Sequence, residues 1–170
     1  PRVRAKNTDV DFPLNDEYKD IIPEMLKHLR YSQIEKLSKK YDLRPGMGLA
    51  APQLGINKNF FVVCYEVKDG VFDDYILINP KVISYSEEMI YAGEGEGCLS
   101  VNREVEGIVP RHARITVEAY DLDGNKRKYR VREDLAIAFQ HELDHLNGIL
   151  FVDYIDPKDP YKNAELYREI

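Results

Sequence analysis

Gln140-His141-Glu142-Leu143-Asp144-His145-Leu146-Asn147-Gly148 is the stretch around which the predicted fold of this chain is organised. It contains the pattern H-E-x-x-H, and histidines four positions apart lie on the same face of a helix. Both imidazoles can therefore reach one metal ion, while Glu142 can act as a general base beside it. Two of the four histidines in the chain fall within this pattern, which makes a surface helix with solvated side chains the weaker interpretation.

Helical periodicity predicts the elements that surround this motif. Residues 133–147 form the motif helix, with its buried side made by Leu135, Phe139, Leu143 and Leu146 and its end at Gly148. Apolar residues at helical spacing predict an N-terminal helix over 16–30. Pro23 lies inside that pattern, so the helix either kinks there or begins near Asp20. A second helical piece is expected over 34–41.

Short strands are predicted between the N-terminal helices and the motif helix. Their expected bounds are 48–51, 59–66, 75–83, 98–101, 114–120 and 126–131, with a final strand over 149–154. Asp123-Gly124 predicts a tight hairpin, and Asn79-Pro80 predicts a turn or an edge position. We therefore expect an α+β fold, with antiparallel or mixed short strands around a central metal-binding helix, in one domain over residues 1–170.

Composition limits the classes of function. The 170 residues are 44% hydrophobic and 32% charged, as in soluble globular proteins, and a net charge of -6 argues against nucleic acid as the main partner. The basic run Lys126-Arg127-Lys128 follows the hairpin signal, and we expect it to be a solvent-exposed strand of that hairpin. No apolar run is long enough for a membrane span. Two cysteines indicate a reducing compartment, and Cys64 lies in a predicted core strand. No signal peptide is visible, but the chain begins at Pro1, so an upstream targeting segment stays an open alternative.

A catalytic zinc-type site needs a third protein ligand. The metzincin pattern fails, because Phe151 stands where its third histidine belongs. Glu165, twenty residues after His145, would serve in a zincin-like endopeptidase. Cys98, which follows the glycine-rich stretch 93–97, would give a Cys-His-His set with one open position. A closed structural site would need a fourth ligand, for which His112 is the least implausible donor.

Three stretches resemble the signature motifs of the peptide deformylase family, in the family's order and without a mismatch. They are Gly46-Met47-Gly48-Leu49-Ala50-Ala51-Pro52-Gln53, Glu96-Gly97-Cys98-Leu99-Ser100 and Gln140-His141-Glu142-Leu143-Asp144-His145. The stretches 32–44 and 93–96 are similar to the bacterial type II branch. Pro1-Arg2-Val3-Arg4 looks like the family's P-x-[LV]-R, so the usual segment before it is absent from this sequence.

The resemblance implies a metallohydrolase that removes the N-formyl group from the formyl-methionine of newly made proteins and releases formate. The metal ligands are then Cys98, His141 and His145. Glu142 takes the proton of the attacking water and delivers it to the leaving amine. The Gln53 amide and the Leu99 backbone N–H donate to the oxyanion.

The resemblance also implies how the site is completed and what it works with. Gly48 presents backbone that an extended peptide can pair with, and Arg111 supports the site by pairing with Glu96 or Asp144. The expected native metal is Fe(II), with zinc, nickel or cobalt as substitutes. The expected partners are N-formylmethionyl peptides of nascent chains near the ribosome, for a monomer in the bacterial cytoplasm that binds neither nucleic acid nor membrane.

Two alternatives remain from the residues themselves. One is the zincin-like metallopeptidase with Glu165 as ligand, for which Cys98 would be unnecessary. The other is an inert peptide-binding domain with a structural metal, for which the general base Glu142 would have no use.

Overall fold

The computed structural model describes residues 7–41, 46–98, 101 and 105–170. The helices are α1 (Asp16–Gln33), α2 (Glu35–Lys40) and α3 (Glu133–Leu146). The strands are β1 (Gly48–Ala50), β2 (Phe60–Lys68), β3 (Val71–Tyr85), β4 (Met89–Tyr91), β5 (Arg111–His112), β6 (Arg114–Tyr120), β7 (Lys126–Arg132) and β8 (Arg168–Glu169). Single 3₁₀ turns occupy Ala51–Leu54, Phe151–Tyr154 and Ala164–Leu166.

The strands of the described residues form two sheets. Antiparallel neighbours in the order β1-β2-β3-β6-β7 make the five-stranded sheet, and the three-stranded sheet has the order β5-β4-β8 with β4 and β8 parallel. Asp123-Gly124 joins β6 to β7, as the hairpin signal predicts, and Gly124 has a φ of 79°. Helices and mixed strands around α3 confirm the predicted α+β fold.

Strand β2 lies between β1 and β3 in the large sheet, and residues 60–64 are buried on both faces, which explains the unbroken apolar sequence there. Phe60, Val62 and Cys64 pack with α1 on one face. Phe61 and Val63 pack with α3 on the other, where the Phe61 and Phe139 rings meet edge to face at 5.6 Å. The sheet therefore holds α3 in a fixed position, with its histidines beside β1.

The N-terminal helix begins at Asp16, before the point that the proline signal suggests. Asn15 caps it by accepting a hydrogen bond of 2.8 Å from the Glu17 N–H. Pro23 therefore lies inside the helix rather than in its first turn, which corrects the alternative that starts near Asp20. Burial of the apolar stripe offsets the lost backbone hydrogen bond; its members are Ile22, Met25, Leu26 and Leu29.

The Asn79-Pro80 pair is a bulge inside β3, so its assignment to a turn or an edge is wrong. The pairing of β3 with β6 shifts between Ile78 and Lys81, and Asn79 adopts a φ of 52°. The Asn79 side chain accepts from Val10 N–H at 2.7 Å and donates to Val10 C=O at 2.9 Å. Tertiary hydrogen bonds to the N-terminal segment therefore stabilise a conformation that sequence rules assign to a turn.

Two strand predictions near the site are not met. Residues 149–154 do not form a strand, because Asp153 accepts from the Leu150 N–H at 2.9 Å and closes a 3₁₀ turn that buries Phe151. In the region 98–101, Cys98 and Val101 lie in no strand, and the Val101 N–H donates to the Cys98 C=O at 3.0 Å. Residues 99 and 100 lie outside the described residues.

The motif helix is buried more widely than the leucine stripe predicts. Leu135 and Leu143 are only partly buried. The buried positions are Ala136, Ile137, Phe139, Glu142, His145 and Leu146. Two sides of α3 are covered, since one packs on the large sheet and the other lines the candidate site. None of the described helices has the length and apolarity needed to cross a bilayer.

Candidate active site

The motif histidines and Cys98 meet at one point. The Cys98 sulfur lies 3.2 Å from His145 Nε2, and one ligand atom from each of Cys98, His141 and His145 lies within 4.8 Å of the others. Helical spacing places His145 one turn after His141, and Cys98 follows the glycine-rich segment after β4. This is the one potential metal-ligating group of His, Cys, Asp and Glu found among the described residues.

The donors of the alternative sites lie elsewhere. Glu165 is an exposed residue in the turn Ala164–Leu166 and is not part of the group. His112 is not part of it either, since its Nδ1 lies 2.7 Å from the Ser86 carbonyl oxygen and its ring packs against the Tyr85 ring at a tilt of 35°. Within the described part of the chain, the arrangement is thus three donors with an open position, as in catalytic rather than structural metal sites.

The electrostatics of the histidines suit a metal. Burial lowers the pKa of His145 to about 3, so the ring is neutral, and its buried Nδ1 has no hydrogen-bond partner in the described structure. Burial also opposes protonation of His141, but hydrogen bonds to Cys98 and Glu96 outweigh it and raise the pKa of His141 to about 10. A bound metal cation would replace the proton through which the His141 ring is hydrogen-bonded to Cys98. Thiolate and imidazole donors suit Zn²⁺, Fe²⁺, Co²⁺ and Ni²⁺, so the residues fit such an ion.

A buried carboxylate orients His141. Glu96 Oε1 lies 2.9 Å from His141 Nδ1, and the Glu96 side chain is only 5% exposed. This contact leaves His141 Nε2 to face the site, which is the arrangement that carboxylates impose on metal-binding histidines. Sequence reasoning placed Glu96 beside Arg111 but missed its contact with His141, although Glu96 stands two residues before Cys98.

Arg111 joins both carboxylates that the sequence offered as alternatives. Its guanidinium donates two hydrogen bonds of 2.9 Å to Glu96 and one of 2.5 Å to Asp144. The Tyr154 hydroxyl donates a further hydrogen bond of 2.9 Å to Asp144. The central carbon of the Arg111 guanidinium lies 5.0 Å from the centre of the Tyr154 ring. The pKa of the Glu96 carboxyl is lowered in spite of burial, because His141 and Arg111 stabilise its charge. The loop that holds Cys98 is thereby fixed to α3.

Glu142 is a buried carboxyl group beside the three donors. Its side chain is 3% exposed, and burial raises its pKa to about 7, even though the charges of His141 and Arg111 oppose the shift. The buried Oε1 has no hydrogen-bond partner in the described structure. A carboxyl group with a pKa near neutrality can both accept and return a proton.

The close approach of β1 requires glycine at position 48. A Cβ at that position would lie 2.6 Å from Glu142 Oε2, so any larger residue would displace the carboxylate. β1 is also the edge strand of the large sheet. Its backbone therefore borders the site, and no strand among the described residues pairs with it on that side.

Gln53 points its amide NH₂ group into the site. Its Oε1 accepts from the Ala50 N–H at 2.9 Å, which identifies the oxygen and leaves Nε2 on the side of Cys98, 3.8 Å from the sulfur. The turn Ala51–Leu54 that follows β1 sets this position. Leu99, the other expected oxyanion donor, lies outside the described residues.

An open cavity of about 340 Å³ lies over these groups. Its wall includes residues 46–48, Gln53, Cys98, His141 and Glu142, and an apolar side. Sequence reasoning missed the cavity side chains Ala92, Asp134, Ile137 and Ala138. Ile137 could have been found from its position, because it precedes His141 by one helical turn.

Comparison with known proteins identifies the family. The family model described as polypeptide deformylase matches residues 1–161. The chain belongs to the polypeptide deformylase family. It is 50% identical to a peptide deformylase from Macrococcus caseolyticus over 163 residues, which cover 95% of this chain and 89% of that protein. It is 48% identical to a peptide deformylase from Oceanobacillus iheyensis over 165 residues, which cover 97% of this chain and 90% of that protein.

A solved structure agrees with this assignment. The crystal structure of a probable peptide deformylase from a Synechococcus phage superposes with a TM-score of 0.73 at 35% identity and covers 91% of this chain and 93% of its own. As a deformylase, this chain is a metal-dependent hydrolase that removes the N-formyl group from newly made peptides. The zincin-like and inert-domain alternatives are not favoured, since the relatives and the structural match are deformylases.

Proposed function

We propose that Cys98, His141 and His145 hold one ferrous ion and that the residues around it carry out deformylation of formyl-methionyl peptides. The observation that supports this proposal is the meeting of one sulfur and two ring nitrogens within 4.8 Å, beside the buried Glu142. Zinc, nickel or cobalt would substitute for iron in the same donor set. When bound, such an ion acts as a Lewis acid that lowers the pKa of water and polarises a carbonyl group.

Glu142 moves the proton in this scheme. Its carboxylate accepts a proton from the attacking water, and it later gives that proton to the leaving amine nitrogen so that formate and a free amino terminus result. Its buried position keeps competing water away from Oε1. Its pKa of about 7 suits both directions of transfer, although a bound cation would lower it.

Gln53 and Leu99 stabilise the charge on the formyl oxygen. The Nε2 group of Gln53 is already held on the Cys98 side by the bond from Ala50 N–H to Oε1, so it needs no reorganisation to donate. The backbone N–H of Leu99, next to Cys98 in sequence, is the second proposed donor.

The peptide itself would bind along β1. Gly48 lies on the open edge of the sheet and in contact distance of Glu142, so an extended peptide paired there would present its amino terminus to the acid–base group. The apolar side of the cavity, formed by Ala92, Ile137 and Ala138, would receive the methionine side chain.

The wider setting follows from the same function. We propose that residues 1–170 form a single catalytic domain that acts as a monomer in the bacterial cytoplasm, on formyl-methionyl ends of nascent chains near the ribosome, without inserting into a membrane.

The decisive test is formate release from a formyl-methionyl tripeptide by protein prepared anaerobically, with total iron, zinc and nickel measured on the same sample. We expect one metal equivalent and stoichiometric formate. The matched control is the acetyl-methionyl tripeptide, which should remain intact. Cleavage of internal peptide bonds in an unformylated peptide, without formate release, would support the endopeptidase instead.

A further inference from the structure

The last strand, β8, continues the small sheet beside the candidate site. It pairs with β4 in parallel, and the pairing extends one residue beyond the strand itself. The Ile170 N–H donates to the Tyr91 C=O, and the Ile170 C=O accepts from the Gly93 N–H, both at 3.0 Å. These two hydrogen bonds enclose Ala92, so Ile170 lies directly beside it in the sheet.

The same segment is attached to the first turn of the motif helix. Arg168 donates two hydrogen bonds, of 2.6 and 2.8 Å, to the carboxylate of Glu133, the first residue of α3. A third hydrogen bond from Arg168, of 2.8 Å, reaches Glu88, which precedes β4. A planar guanidinium held by two carboxylates has a defined orientation, so β8 is fixed to both α3 and β4.

Ile170 supports the apolar wall of the candidate site from outside. Its side chain packs, as does that of Ala92, against the buried cluster of Ile90, Ala113 and Ile137. Ala92 and Ile137 line the open cavity, whereas Ile170 belongs to the cluster and not to the cavity lining. One layer of apolar residues thus faces the substrate side, and Ile170 belongs to the layer that packs behind it.

We propose that Ile170 is a specificity-determining residue, which sets the width of the pocket for the first side chain of the formylated peptide. The inference rests on the proposed function, in which Ala92 and Ile137 receive the methionine side chain. A close-packed wall keeps its position only while the layer behind it is filled. When a smaller residue leaves a cavity, the surrounding side chains relax partly into it. Ile137 and Ala92 then move outwards, and the pocket fits methionine less closely while it admits bulkier side chains.

The test is the steady-state rate of formate release from formyl-methionyl and formyl-phenylalanyl tripeptides that share their second and third residues, at matched metal content. Ile170→Ala should raise the KM for the methionyl peptide at least about threefold with kcat unchanged, because the lost contacts are shared by substrate and transition state. It should also raise kcat/KM for the phenylalanyl peptide relative to the methionyl peptide at least about threefold, since even one methylene in an apolar pocket changes this ratio measurably.

Two further variants separate pocket width from loss of folding. Ile170→Val removes a single methylene and should shift both quantities in the same direction by a smaller factor, even if Ile170→Ala proves too unstable to purify. Leu166→Ala is the matched control, because Leu166 lies in the same terminal segment but is 69% exposed. It should change neither KM nor the ratio between the two substrates.

The outcomes distinguish this inference from the proposed function. An unchanged substrate ratio in the Ile170 variants, with a lower Tm, would overturn the inference and leave Ile170 a purely structural role. An equal fall in kcat for both peptides at constant KM would also overturn it, because the reacting groups rather than the pocket would be affected. In both cases formate release by the wild type would leave the proposed function standing. A wild type that releases formate from neither peptide would overturn both.

Discussion

Arg111 and Glu96 form a two-pronged ion pair inside the protein, with both hydrogen bonds at 2.9 Å and side chains that are 3% and 5% exposed. The same guanidinium also reaches Asp144 on α3, so one buried cation holds two carboxylates. Glu96 in turn contacts His141. The loop before Cys98 and the motif helix are therefore linked by charge-assisted hydrogen bonds rather than by apolar packing alone.

Arg111→Ala should destabilise the protein strongly, because it removes the cation that neutralises the buried Glu96 and the partly buried Asp144, leaving them only their contacts with His141 and Tyr154. Breaking a buried ion pair in this way costs about 3–5 kcal/mol. Urea unfolding monitored by circular dichroism measures the loss. The matched control is Arg127→Ala, which removes an exposed pair with Asp121 and should cost less than about 1 kcal/mol. Similar losses for both variants would contradict the structural role of Arg111.

Cys98→Ala and His145→Ala should each lose bound metal, because each removes one of three proposed donors. Glu165→Ala should retain it, since Glu165 lies in an exposed turn outside the donor group. Metal analysis after gel filtration gives the answer directly. Metal loss in Glu165→Ala together with metal retention in Cys98→Ala would reverse the ligand assignment.

Glu142→Gln should preserve the metal and abolish most of the turnover. The amide has nearly the same shape but cannot accept a proton, and loss of a general base lowers kcat by at least about a hundredfold. The rate of formate release is compared at matched metal content. If the metal-loaded variant were fully active, Glu142 would have no role in proton transfer.

Gln53→Ala should lower kcat by roughly a hundredfold or more with little change in KM, as for other donors to a developing oxyanion. Metal content should stay the same, because Gln53 is not a proposed ligand. Steady-state kinetics on metal-matched samples separates the two parameters. A rise in KM with kcat intact would make Gln53 a peptide-binding residue, leaving the oxyanion to the Leu99 N–H and the metal.

The stability of metal-free protein should depend on pH through Glu142. Burial raises the pKa of this carboxyl from 4.5 to about 7, so the folded state holds the proton more tightly than the unfolded state. Between these two values the free energy of unfolding therefore falls as pH rises, by at most about 3 kcal/mol. The amide of Glu142→Gln does not ionise, so the stability of the variant does not fall in this way. From pH 5 to pH 8 the variant should therefore gain stability relative to the wild type. Parallel pH curves in urea unfolding would rule out the shift.

Local sequence determined most of the secondary structure in this chain. The apolar spacing after Asp16 and the alternation in β6 report backbone conformations that depend on near neighbours, and H-E-x-x-H needs only helical geometry to bring its histidines together. The same local rules gave the wrong result at Asn79-Pro80 and at 149–154, where bonds to Val10 and burial of Phe151 outweigh local preference.

The tertiary structure alone decided which side chains meet. Nothing in the spacing of Glu96, Arg111 and His141 reveals that one carboxylate contacts both partners, and the meeting of Arg114 with Arg132 depends on the register of β6 and β7. Helical geometry placed His141 and His145 together, but the sequence selected Cys98 over Glu165 as the third ligand only through resemblance to a family. Contacts between residues distant in sequence arise from the packing of α3 and the loop of Cys98 against the sheets, and that packing depends on the whole core rather than on any single stretch.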